Sequence, residues 1–244
     1  MQIDSFAIRL RPRSNMEAAD LGVRLCQSAG REVFTGYWLV GIPVTALALA
    51  SFGIAAWLPM VLIWFAKPWL DRSILFVLSR AAFGQKTTVR DLLRSRAQVW
   101  WRQLMLTWTW RRLSPWRAFT QPVYQLEGLR GAARTRRIAQ IRYRHSGAAA
   151  MLTSVFGLAE TCLYAGLVAL AFWLAPRGYE PHLAGLLNGA VASPVAFALQ
   201  AAYAAVVLCL EPFYVAAGFA MYLNRRAELE AWDIEQEFRR AFGR

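Results

Sequence analysis

Lysine is almost missing from this chain, acids are almost missing from its apolar stretches, and the usual marks of catalysis do not occur. Of 28 basic residues only Lys67 and Lys86 are lysine. The rest are arginine, whose planar fork suits phosphate groups, including lipid headgroups, better than an ammonium does. Three cysteines (Cys26, Cys162 and Cys209) form no CxxC and are odd in number, which argues against a disulfide framework or a zinc site and leaves small buried thiols. The two histidines, His145 and His182, read as interfacial polar groups. No GxSxG, HExxH, Walker loop or DxxDG-like lipid-transferase pattern appears. No catalytic residue, metal or cofactor is therefore expected, and the chain reads as a non-enzyme. A secretory signal is also missing: nine charges between Asp4 and Glu32 interrupt any apolar core it would need.

What is present is apolar length. Hydrophobic residues make up 57% of the 244, with a net charge of +13 and a mean hydropathy of +0.29. A chain both this apolar and this basic reads as an integral membrane protein. Residues 33–66, 146–176 and 183–224 hold only two ionisable acids or bases between them, Glu160 and Glu211. Each run exceeds the ~20 residues that cross a bilayer.

The charges outside these runs set a topology. Residues 67–145 hold 17 basic and 3 acidic groups, while residues 1–32 and 225–244 are close to balanced. The positive-inside rule puts the basic block in the cytoplasm and the short loop "RGYEPH" outside. An N-terminus with five arginines and no signal stays inside, so the 34 residues of 33–66 must cross an even number of times. A hairpin of two short spans turning near Ser51 to Gly53 satisfies this; one long tilted helix is the alternative. The expected fold is all-α, a polytopic membrane bundle of about four spans with amphipathic interfacial helices. It divides into a cytoplasmic segment with an amphipathic helix (1–32), a transmembrane hairpin (33–66), basic Trp-rich helices (67–145), two spans with a short outer loop (146–224) and a C-terminal amphipathic helix (225–244). Both termini face the cytoplasm, and the membrane is a bacterial inner membrane.

Residues 88–114 read as one long helix opened by Thr88 with Asp91 three residues later. Val89, Leu93, Ala97, Trp100, Leu104 and Trp108 make its apolar stripe. Arg90, Arg94 and Arg102 lie largely opposite, with Trp101, Arg111 and Arg112 completing a basic, aromatic platform. Such a helix lies well among anionic headgroups; packing on the protein's own spans is the other reading. Nucleic acid is not expected, because topology and anionic lipid already account for the arginines. At the N-terminus, Ser14 and Glu17 cap a helix whose buried stripe is Leu21, Leu25, Ala29 and Val33. Asp71, beside Lys67 and Arg72, reads as a local ion pair or cap at the cytoplasmic interface.

Two acids remain. Counted from the cytoplasmic ends, Glu160 and Glu211 lie roughly 15–18 Å deep at 1.5 Å per residue, and ionisable groups at that depth mark a functional site by default. Each sits on a polar stripe: Gln200, Tyr203, Glu211, Tyr214, Gly218 and Tyr222 on the last span, Thr153, Gly157, Glu160 and Tyr164 on the one before. Pro212 deprives the carbonyl of Leu208 of its helical donor. The expected site is a broken-helix polar face where the two glutamates meet, one of them protonated and donating to the other or to the freed carbonyl. Either the acids glue two helices together or they bind a proton or cation.

Three stretches, "WFAKPWLDRSILFVLSRAAFG", "RRLSPWRAFTQPVYQLEGLRG" and "YLNRRAELEAWDIEQEFRR", resemble an uncharacterised family of proteobacterial inner-membrane proteins encoded near MoxR-type ATPases and transglutaminase-like membrane proteins. The layout is also loosely similar to the membrane domain of some glycerophosphodiester phosphodiesterases. The resemblance implies an envelope-linked complex, with other membrane proteins as partners, and carries no catalytic residues.

Overall fold

The computed structural model describes residues 13–101, 113–174 and 194–230, and among these all regular structure is helical. Eight α-helices follow in order: α1 Asn15–Ser28, α2 Gly30–Ala50, α3 Leu58–Ala81, α4 Val89–Arg94, α5 Arg117–Gln125, α6 Gly131–Arg142, α7 Ser146–Trp173 and α8 Pro194–Glu230. Three stretches are long and apolar enough to cross a membrane: Gly30–Gly53, Ser146–Trp173 and Pro194–Glu230. The helical membrane bundle expected from hydropathy is therefore present in outline.

Local chemistry sets the breaks. Ser51–Gly53 forms a single 3₁₀ turn between α2 and α3, where the hairpin turn was expected. Ser14 accepts a hydrogen bond from the Glu17 amide and starts α1. Its buried face is Ala18, Ala19, Gly22, Leu25 and Cys26, so of the expected stripe only Leu25 lies buried within α1. The helix stops at Ala29, which turns the chain into α2 before Val33. Thr88 and Asp91 form a full capping box, and the Thr88 hydrogen bonds hold the Asp91 carboxyl below its usual range. Pro194 opens α8, which runs past Asn224 to Glu230; Ser193 and residues 231–244 lie outside the described residues.

Within the described residues the expected platform helix is interrupted. α4 ends at Arg94, and after Ser95 a π-helical turn spans Ala97–Trp101. A wider turn shifts the register, so a stripe drawn at a constant 100° per residue fails beyond it. Even before the break, Leu92 is the buried residue and Leu93 is half exposed.

Around α8 the other helices assemble. α1 makes the most extensive contact with it, and α2, α3, α5 and α7 complete the ring. Small residues allow this approach. A Cβ on Gly22 would sit 2.7 Å from the Ala216 carbonyl carbon and 2.8 Å from the Ala217 Cα; one on Gly218 would sit 2.7 Å from the Ala118 carbonyl carbon. The Asn224 amide clamps the N-terminal segment by accepting from the Arg13 backbone N–H and donating to its carbonyl. His145 lies between Asn15 Oδ1, at 2.7 Å, and Glu228 Oε2, at 3.3 Å, and burial pulls its imidazole below the usual value. The C-terminal half of α8 is thus encased by protein. α7 differs: of its 28 residues only Ala149 and Leu152 are buried.

Gly22→Ala is expected to destabilise the protein by about 1–3 kcal/mol, the usual cost of overpacking, because rigid backbone faces it. Gly166→Ala on α7, with nothing within 4 Å of the added Cβ, should leave the melting temperature unchanged or raise it. Equal melting temperatures for the two variants would contradict this packing.

Candidate functional site

The apolar core falls into two parts, and charge separates them. One part holds Ala48, Ile63, Tyr203, Ala204 and Val207; the other runs through Tyr37, Leu70, Ile74, Tyr214 and Phe219. Between them, on α3 and α8, sit Lys67 and Glu211, each followed directly by a proline. Lys67 Nζ lies 2.5 Å from Glu160 Oε2 and 2.8 Å from Glu211 Oε2. Arg117 Nη2, at the start of α5, lies 2.5 Å from Glu211 Oε1, and its Nε is 3.1 Å from Asp71 Oδ2. Four helices therefore meet at five ionisable groups, all but Glu160 buried. The Arg117 guanidinium also lies over the Tyr214 ring, 5.1 Å from its centroid.

Hydroxyls secure the start of α5. Tyr214 and Thr153 hydroxyls are 3.0 Å apart, Thr153 donates to the Pro115 carbonyl at 2.7 Å, and the Ala118 amide donates to the Tyr214 hydroxyl at 3.4 Å. Trp116 donates to the Ser146 carbonyl at 2.9 Å, with Arg142 stacked over its ring. These contacts fix Arg117 before any electrostatic term is counted, so its guanidinium meets the carboxylates already oriented.

A cavity of about 440 Å³ opens beside the cluster. Lys67, Arg117, Glu160 and Glu211 form its polar wall; Trp64, Phe156, Tyr164, Tyr203 and Tyr214 contribute aromatic surface. The two polar stripes of the last spans thus face one another across it, with the Tyr164 and Tyr203 rings edge to face at 5.8 Å.

Three expectations change. Glu160 and Glu211 do not pair with each other as acid and base; the Lys67 ammonium lies between them. The carbonyl of Leu208, freed by Pro212, accepts from the Trp38 indole N–H at 3.2 Å rather than from a carboxyl. Asp71 is paired at long range and not locally: it is fully buried, and its partner is Arg117, 46 positions away, which had been counted with the cytoplasmic block. Periodicity within one helix cannot reveal such partners. The repeated step of a charge followed by proline, Lys67–Pro68 and Glu211–Pro212, is the sequence signal that could have linked the first two.

Among the platform residues, Trp100 donates to Ser73 Oγ at 2.9 Å and tilts against Trp69, so it packs on α3. Trp101, Arg90 and Arg94 are exposed. Arg102, Trp108, Arg111 and Arg112 lie outside the described residues. No group of three or more metal-ligating side chains occurs among the described residues. No protein-family model, curated protein or solved structure matches the chain.

Removing the indole donor should leave the Leu208 carbonyl without a partner. Trp38→Phe is expected to cost about 1–3 kcal/mol, and adding Pro212→Ala should recover part of it, since alanine restores the helical N–H. Thermal unfolding in detergent reads both. No recovery in the double variant would mean that Trp38 contributes only volume.

Proposed function

We propose that this chain is a multi-pass protein of a bacterial inner membrane, crossing four times with both termini in the cytoplasm. It serves as a non-enzymatic subunit or scaffold of an envelope-associated complex, as the resemblance to envelope-linked proteins suggests. α3 supplies the remaining crossing, the second in chain order. Its charges at Lys67 and Asp71 are compensated by Glu160, Glu211 and Arg117 within the bundle, and that compensation is what allows a charged helix into hydrocarbon. The observation that carries the subunit reading is α7. It is long and apolar, yet no residue of its most apolar stretch is buried by the rest of the chain, and Gly157 and Gly166 leave open space along it. Small residues on an uncovered span suit close approach by another helix. Arg90 and Arg94, exposed next to α4 and the turn after it, suit anionic lipid or an acidic partner.

A second reading has its own support. Four ionisable side chains, Lys67, Arg117, Glu160 and Glu211, on the wall of an aromatic-lined cavity suit a component that binds a proton or cation as part of transport.

Photo-crosslinking groups at Leu158, Leu163 and Leu170, all exposed on α7, separate the first reading from a lone protein. In native membranes they should yield one protein adduct of fixed mass that also co-purifies in constant ratio from mild detergent. Lipid adducts alone, with a protein that purifies by itself, would contradict the subunit reading.

A further inference from the structure

The charge cluster does not balance. Asp71, Glu160 and Glu211 face Lys67 and Arg117, so full ionisation leaves one excess negative charge among these five groups, while Arg72, also buried on α3, makes none of the ion pairs that join them. An isolated carboxylate in low dielectric is far costlier than a neutral carboxyl. The geometry identifies which group is neutral. Both Glu211 oxygens are taken, one by Arg117 and one by Lys67, and Glu160 is held by Lys67. Asp71 is fully buried, and neither of its oxygens has a well-aligned hydrogen bond; the Arg117 Nε contact at 3.1 Å is poorly directed. The Asp71 and Glu211 carboxyls nonetheless sit side by side on one guanidinium, Asp71 at the Arg117 Nε and Glu211 at its Nη2. Two carboxylates cannot bond; a carboxyl and a carboxylate can. The other groups facing Asp71 are Tyr37 from α2, Arg117 from α5 and Lys67 from its own helix, and the buried Tyr37 hydroxyl is likewise without a partner.

We propose that Asp71 and Glu211 share one exchangeable proton, and that an organic cation entering the aromatic-walled cavity replaces it in the charge balance. The proton leaves Asp71 for solvent as the cation arrives, and the net charge of the cluster stays at zero. This rests on the ion-coupled reading above and assigns its site and ligand class. An anion is disfavoured, because Lys67 and Arg117 already have two carboxylate partners each. A cation gains from Glu160, the most exposed member of the cluster, and from the faces of Trp64, Phe156, Tyr164 and Tyr203. The ~440 Å³ volume accommodates a small ammonium or phosphonium with an apolar body.

Tetraphenylphosphonium binding to the full chain in phosphatidylcholine nanodiscs provides the test. Calorimetry in buffers of different ionisation enthalpy should report about one proton released per probe bound. Affinity should rise about tenfold per pH unit across the titration of the site, as one linked proton requires. Infrared difference spectra of the wild type should show a protonated carboxyl lost on binding. Asp71→Asn, a fixed copy of the neutral carboxyl, should keep the wild-type melting temperature, bind at least tenfold more weakly at high pH and release no proton. A probe that binds without proton release or loss of the carboxyl band overturns the shared proton and leaves the ion-coupled reading standing. A wild type that does not bind the probe at any pH overturns both.

Discussion

The structure depends on the price of a charge in a low-dielectric interior. Lys67 alone on α3 or Glu211 alone on α8 would each be several kcal/mol less favourable inside the bundle than in water. Together, with Glu160 and Arg117, they are tolerable only in one arrangement of α3, α5, α7 and α8. The charged layer therefore acts as a registry device. The apolar clusters on either side of it, one with Ile63 and Val207 and the other with Leu70 and Tyr214, could slide by a turn with modest loss. Ion pairs of 2.5–3.1 Å could not.

That constraint explains the odd position of α5. A nine-residue helix from the basic block is almost wholly buried, with Arg117, Gln121 and Gln125 on successive turns inside the protein. Gln125 donates to the Arg72 carbonyl at 2.8 Å. The basic block is thus two things at once: exposed arginines such as Arg90 and Arg94, and one arginine drawn inward to neutralise acids. The layer also leaves α7 in an asymmetric position. It is held along one edge by α8 and through Thr153 and Glu160, and the rest of its surface meets whatever surrounds the protein.

Hydropathy made much of the fold legible. Uncharged runs mark α2, α7 and α8, the hairpin turn falls at Ser51–Gly53, and the hydroxyl caps at Ser14 and Thr88 start helices where local hydrogen bonding dictates. These features are local, and local chemistry is what a single sequence displays. The site was half legible for the same reason. Glu160 and Glu211 stand out because nothing near them in sequence is charged, and their stripes place them on facing sides of two helices. Lys67, Asp71 and Arg117 sit among other charges and looked like parts of an interface. Their burial follows from partners 46 to 144 positions away, which no helical period encodes. The π-helical turn at Ala97–Trp101 misled in the opposite sense: its residues favour helix, and only packing against Ser73 and Trp69 reveals the change of register.

The central claim is that Lys67 and Glu211 are energetically one unit. A double-mutant cycle on unfolding in detergent, using Lys67→Met, Glu211→Gln and the pair, measures this directly. Breaking one partner of a buried pair costs about 3–5 kcal/mol, whereas removing both costs far less than the sum. The account predicts a severe loss for Lys67→Met and a coupling energy of at least about 1 kcal/mol in the cycle. Strictly additive effects, or a Lys67→Met protein as stable as the wild type, would contradict it.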